Sequence, residues 1–207
     1  MYIAQLLYPL KVLGPGNRIG IWFSGCKHGC KGCSNPELWI QQKKHQLNMD
    51  DFIKLVDSIA TTRDVSGFTI TGGEPFLQAD CLREIIPYLK SISSDILIYS
   101  GYTKNELIEL GCLDILKQIA VLIDGKYIES RNTNKFLRGS DNQTIHILNN
   151  NYLEYYQNYI STNENEIQNF RTRTVFVSVG IHKSDYQQKL HEHLALKGFK
   201  TPKIIKI

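Results

Sequence analysis

Three cysteines fall within eight residues, Cys26-Lys27-His28-Gly29-Cys30-Lys31-Gly32-Cys33, with the spacing C-x3-C-x2-C. Thiolates gathered in this way bind soft or borderline metals: zinc, copper(I) or an iron–sulfur cluster. A closed structural zinc site needs four protein ligands, and no fourth stands out. His28 lies inside the same tight loop, and Cys81 and Cys112 are distant in sequence and unaccompanied. A cubane [4Fe–4S] cluster usually takes four cysteines. Three leave one iron open, and an open metal position is where chemistry occurs. Gly25, Gly29 and Gly32 permit positive φ and close approach, so their N–H groups can point at cluster sulfurs. Lys27, His28 and Lys31 add positive charge, which favours a reduced cluster; a solvated basic loop explains them equally well. A zinc knuckle, or three buried thiols, is the plainer alternative for the cysteines.

The elements around this loop follow from pattern. Arg18 to Phe23 reads as a strand feeding the cysteines, and Asn35-Pro36-Glu37 as a helix start. Asp50 to Ala60 has helical spacing, with Asn48 or Asp50 as cap. A strand from Gly67 to Ile70 then ends in Thr71-Gly72-Gly73-Glu74-Pro75, where two glycines let backbone approach a ligand. A glycine-rich turn before a helix-starting proline is the alternative. The helix from Asp80 to Leu89 is expected to strain or end near Pro87. Asp95 to Tyr99 is a strand running into Ser100, and Thr103 caps a helix from Lys104 to Leu110. Ala120 to Ile123 is a strand ending in Asp124-Gly125-Lys126, and Thr144 to Leu148 is a last core strand. The repeated strand–loop–helix pattern predicts an α/β fold of mainly parallel strands, with ligands at their carboxyl ends. The cysteine loop, Gly72 to Pro75, Ser100, Asp124 and Lys126 all fall there. Residues 149–169 read as a helix or loop leading into a connection. Val175 to Val179, Ser184 to Leu196 and Pro202 to Ile207 form a βαβ-like tail. His182, His191 and His193 show no ligand spacing and read as exposed helix histidines.

Composition bounds the function. With 207 residues and 42% hydrophobic content the chain makes one main domain with a sizeable core. Residues 1–150 are expected to form that core, and 151–207 a linker and extension packed on it. A net charge of +4 is too mild to imply nucleic acid. No apolar run approaches membrane-spanning length. Pro9, Lys11 and Gly14-Pro15-Gly16 interrupt any export-signal pattern. Five cysteines, three of them clustered, point to a reducing cytoplasm and metal binding rather than to disulfides.

The cysteine loop and its flanks, Gly14-Pro15-Gly16-Asn17-Arg18 and Phe23-Ser24-Gly25-Cys26 through Cys33-Ser34-Asn35-Pro36, resemble the radical S-adenosylmethionine (SAM) superfamily. Among its small members the likeness is greatest to the activases of glycyl-radical enzymes, above all the anaerobic ribonucleotide reductase activases. The resemblance implies a partial, open (β/α) barrel, with Cys26, Cys30 and Cys33 holding a [4Fe–4S] cluster. It implies that Gly72-Gly73-Glu74-Pro75 contacts the SAM amino group and that Asp124 and Lys126 lie near SAM. The run Arg138-Gly139-Ser140-Asp141-Asn142-Gln143 also looks like these activases. Arg138 can take a carboxylate or phosphate there, though a tight polar turn explains the run almost as well. The implied reaction is one-electron cleavage of SAM to methionine and a 5′-deoxyadenosyl radical. That radical takes a hydrogen atom from a glycine of a partner glycyl-radical enzyme. The electron comes from an external donor such as a flavodoxin or ferredoxin. Two other readings stay open: a radical SAM enzyme acting on a peptide or small molecule, and a non-catalytic iron–sulfur or zinc module.

Overall fold

The computed structural model describes residues 1–171, 176–183, 186–196 and 204–206. Its centre is a six-stranded sheet whose strands pair in chain order: β1 (Ile3–Leu10), β2 (Arg18–Phe23), β3 (Gly67–Gly72), β4 (Ile96–Tyr99), β5 (Val121–Asp124) and β6 (Thr144–Ile147). The four inner strands run parallel, and the two edges run antiparallel to their neighbours. β2 and β3 align from Arg18–Gly67 to Phe23–Gly72, so their carboxyl ends finish level. The fold is thus α/β with a mostly parallel central sheet. Among the described residues β6 does not pair back to β1.

Both faces of the inner strands are covered, which is why β2 is buried along its whole length. One face carries Ile19, Ile21, Phe23, Phe68, Ile70, Ile96 and Ile98. It packs on the crossover helices α1 (Met49–Ala60), α2 (Ala79–Ile92), α3 (Lys104–Glu109) and α4 (Leu113–Leu116). Asn48 caps α1 by accepting the Asp51 N–H at 2.8 Å. Thr103 and Glu106 close a capping box on α3. α2 does not stop at Pro87 as the sequence suggests but continues to Ile92. Pro87 lies on the exposed side, opposite Leu82, Ile85, Ile86 and Leu89, so its ring and missing N–H burden only the solvent-facing backbone.

The other face is filled by chain rather than by crossover helices. Leu10, Val12 and Leu13 cover Trp22, and α5 (Leu153–Thr162) lays Tyr156 beside Leu97, Val121 and Ile123. At the amino end of the strands Arg18 is wholly buried. Its guanidinium meets both Asp95 carboxylate oxygens (2.7 and 3.2 Å), Thr69 Oγ1 (2.7 Å) and the Phe68 carbonyl (2.6 Å). Tyr156 donates its hydroxyl to the same Asp95 carboxylate.

A second, three-stranded sheet comprises β7 (Ile167–Arg171), antiparallel to β8 (Phe176–Gly180), and β9 (Ile204–Lys206), parallel to β8 across α6 (Tyr186–Leu196). Val175, Ser184, Pro202, Lys203 and Ile207, at the ends of the expected tail elements, lie outside the described residues. β7 begins inside the polar stretch 149–169, which the sequence reads as a helix or loop, and runs past its end. Val177 and Val179 pack against Leu10, Val12, Leu13, Trp22 and Leu38. Gln168 clips the sheet on by accepting the Lys11 N–H (2.9 Å) and donating to the Pro9 carbonyl (2.7 Å). His182 is not an exposed helix residue: it is buried ahead of α6, with Nε2 2.9 Å from Ser178 Oγ. The side chains of His191 and His193 lie outside those described. No described helix is long and apolar enough to cross a membrane.

Candidate iron–sulfur site

The carboxyl ends of β2, β3, β4 and β5 feed four loops that meet around one cleft, which encloses about 920 Å³ counting its open mouth. The loop after β2 is anchored at its start, where Gly25 N–H and Cys26 N–H donate to the Leu38 and Trp39 carbonyls (2.7 and 2.9 Å). Cys26, Cys30 and Cys33 all line the cleft. None is in a disulfide. The His28 N–H points at Cys26 Sγ (3.5 Å) and the Asn35 N–H at Cys33 Sγ (3.4 Å), the donors a thiolate sulfur attracts. Burial pushes the Cys26 and Cys30 thiols up; the His28 N–H draws Cys26 back, and Lys126 with the Tyr127 N–H draws Cys30 back.

Among the described residues no group of three or more His, Cys, Asp or Glu side chains is gathered as the ligands of one metal ion would be. The three thiols border one open space. A donor set of three thiolates around such a space fits an iron–sulfur cluster.

The loop after β3 presses directly on the cysteine loop. Gly73 N–H donates to the Phe23 carbonyl and Glu74 N–H to the Gly25 carbonyl, both at 2.8 Å. A Cβ on Gly72 (φ +108°) would lie 2.4 Å from the Phe23 oxygen, and one on Gly73 2.4 Å from the Gly25 oxygen. The glycine pair therefore answers to backbone packed on backbone before any ligand is considered. Glu74 is buried, and its carboxylate accepts from Phe76 N–H (3.0 Å), Ser100 Oγ (3.0 Å) and Gly101 N–H (2.7 Å). His28 Nε2 reaches the same carboxylate at 3.0 Å. Pro75 is buried at the start of a short 3-10 turn and does not line the cleft.

Gly72, Gly73, Glu74 and Ser100 thus share the cleft with the cysteines; Gly32, Asp124, Lys126 and Arg138 do not line it. Asp124 is buried behind the site, accepting the Lys104 N–H and lying 3.0 Å from His146 Nε2, off the line of a hydrogen bond. Lys126 is exposed and borders a second cavity on the far side of Cys30, with Lys31 and Glu129. Gly32 is exposed, with φ +70°. Arg138 donates to the Gln143 carbonyl (3.3 Å), while its Nε is buried without a partner. The run it begins is a brace. Gln143 donates to the Gly125 carbonyl, Asn142 to the Lys126 carbonyl, and Ser140 Oγ accepts the Ile128 N–H, which fixes the loop beside Cys30.

The cleft has a wall that motif reading missed. Trp22, Trp39, Tyr99 and Tyr127 line it, with Gly180 and Ile181 from the end of β8. Trp22 Nε1 is buried and lacks a hydrogen-bond partner. Strand alternation could have flagged Trp22 and Tyr99, which share the face of Thr71; nothing local marks Gly180 or Ile181.

Comparison with known proteins points to an iron–sulfur family. Residues 12–146 match the family model described as a 4Fe-4S single cluster domain. Within that class the relatives are specific. The chain is 33% identical over 144 residues to the anaerobic ribonucleoside-triphosphate reductase-activating protein of Enterobacteria phage T4, covering 67% of this chain and 90% of the relative. To the protein of that name from Vibrio cholerae it is 34% identical over 147 residues, covering 67% and 94%. To that of Escherichia coli K12 it is 29% identical over 149 residues, covering 68% and 96%. The chain belongs to this family of activating proteins. The second sheet lies beyond the residues matched by the family model.

Proposed function

We propose that this chain is a radical SAM activase: a single [4Fe–4S] cluster and SAM bound in the cleft generate a radical on a glycine of a partner enzyme of the anaerobic ribonucleotide reductase type. The observation that carries this reading is that the three thiols and the Gly72-Gly73-Glu74-Pro75 loop meet at the carboxyl ends of two adjacent parallel strands. On this reading the sheet is the open part of a (β/α) barrel. Residues 1–150 carry the chemistry, and 151–207 form the linker and extension.

Cys26, Cys30 and Cys33 would hold the cluster and leave one iron for the amino acid end of SAM. Bound together, cluster and SAM would supply one-electron cleavage and a hydrogen-abstracting radical, using an electron from a flavodoxin- or ferredoxin-type donor. The rest falls to the chain. Backbone of Gly72 and Gly73 offers groups at the cleft, Ser100 and Glu74 hold the loops in place, and Trp22 and Tyr99 keep water from the inner wall. Lys126 and the braced turn after Arg138 flank Cys30. No acid–base pair is needed. A reducing, cytoplasmic setting suits five free thiols.

A second reading, action on a peptide or small molecule, draws on Gly180 and Ile181, which narrow the cleft from outside the family-matched residues.

The test is anaerobic electron paramagnetic resonance on reconstituted, dithionite-reduced protein, with and without SAM. A [4Fe–4S]⁺ signal that changes shape with SAM is expected. Cys26→Ala, Cys30→Ala and Cys33→Ala should each abolish SAM cleavage. Zinc in the metal assay, or a signal indifferent to SAM, refutes the reading. Radical formation only when a glycyl-radical partner is added separates activase from small-molecule enzyme.

A further inference from the structure

Between Cys26 and Cys30 the loop has little to hold it. Lys27 and Gly29 are exposed, and a Cβ on Gly29 would touch nothing within 4 Å. His28 is the residue of the three that turns inward. Its Nε2 is 3.0 Å from Glu74 Oε2, and its ring stands edge-on to Tyr102 with centroids 4.6 Å apart. The socket is shaped for it: a Cβ on Gly101 would lie 2.5 Å from His28 Cδ2. The acceptor is itself fixed, because the Glu74 carboxylate is held by Phe76 N–H, Ser100 Oγ and Gly101 N–H.

We infer that His28 is a positioning residue that plugs the cysteine loop into the loops after β3 and β4, setting where Cys26 and Cys30 stand relative to the Gly72–Glu74 ligand face. This rests on the reading that the cysteines hold a cluster. Glu74 then has a definite role, since its carboxylate ties three loops together while the backbone around it faces the ligand. The same tie explains why Gly101 carries no side chain.

The test compares His28→Ala, His28→Gln and Tyr102→Leu with the wild-type chain. Glutamine keeps a donor for Glu74, alanine loses both donor and ring, and leucine removes the edge contact. Loss of such an outer partner typically weakens a metal site on the order of 10- to 100-fold. His28→Ala is therefore expected to lose iron to a chelator at least about tenfold faster. It should also alter the reduced-cluster spectrum before any SAM is added. His28→Gln should restore most of both, and Tyr102→Leu should fall between. Hydrogen exchange of residues 26–33 and 100–103 in the cluster-free full-length chain needs neither cluster nor SAM. It should quicken in both segments of His28→Ala. Wild-type iron retention, spectrum and exchange in His28→Ala would overturn the inference. A wild-type cluster that ignores SAM would sink the proposed function while leaving this tie to be judged on iron release and exchange.

Discussion

At the scale of single residues the site is built by close approach. Gly72 has φ +108°, and a methyl group there would collide with Phe23 backbone at 2.4 and 2.5 Å. Gly72→Ala should therefore cost more than about 1 kcal/mol of stability, since alanine at positive φ is strained whatever the space. It should also push the β3 loop off the cysteine loop. Chemical denaturation with iron retention in the same samples checks this. A variant as stable as wild type, with full iron, would show that the two loops need not touch. Sequence reading found these glycines and the cysteines because their types are rare and their spacing is constrained. It read Glu74 as a ligand contact and His28 as an undecided basic residue. Their pairing joins positions 46 residues apart, and no local pattern carries such a link.

At the scale of elements, helix caps aim the loops at the cleft. Thr103 N–H and Oγ1 both donate to Glu106 Oε2 (2.6 and 2.8 Å), and Glu106 N–H returns to Thr103 Oγ1 (3.3 Å). The Thr103 backbone N–H, followed by its hydroxyl, lowers the Glu106 pKa. A depressed folded pKa means that ionised Glu106 stabilises the fold, fully so above the unfolded carboxylate value. That contribution disappears as pH falls through the lowered folded value. Glu106→Gln should thus melt below wild type at neutral pH, and the gap should close in acid. A gap independent of pH would mean that the carboxylate charge has no part in the cap. α1 and α3 were legible because polar caps precede apolar residues at helical spacing. The course of α2 past Pro87 was not, because the solvent exposure of a proline is decided by tertiary packing. β7 was not legible either: Ile167-Gln168-Asn169-Phe170-Arg171 becomes a strand by pairing with β8.

At the scale of the whole molecule two devices hold the layers together. At the amino end Asp95 neutralises the buried Arg18 and accepts from Tyr156 of α5. Asp95→Ala leaves a buried cation unpaired and should cost about 3–5 kcal/mol, measured by denaturant unfolding; a loss below about 1 kcal/mol would show that water or a rearranged partner replaces it. The sequence showed Arg18 only as part of a family-like stretch, since its partner lies 77 residues away. The other device is the second sheet, whose attachment no motif announced. Val179 is fully buried against the cluster containing Leu13 and Trp22, Gln168 binds backbone on both sides of Leu10, and Asn132 donates to the His182 carbonyl (3.0 Å). With apolar and polar contacts both shared, the sheet should unfold with the core in one transition. Val179→Ala, losing two methyl groups and leaving a small cavity, should lower that single transition by roughly 2 kcal/mol. Ile181, two residues on, lines the cleft, so on the proposed reading that SAM binds there the same variant should weaken SAM binding while the cluster spectrum without SAM stays unchanged. A calorimetric trace with two transitions, only the smaller moved by Val179→Ala, would make the second sheet an appendage that unfolds alone. The wall it lends the cleft would then be intermittent, and the case for its shaping what enters would fall with it.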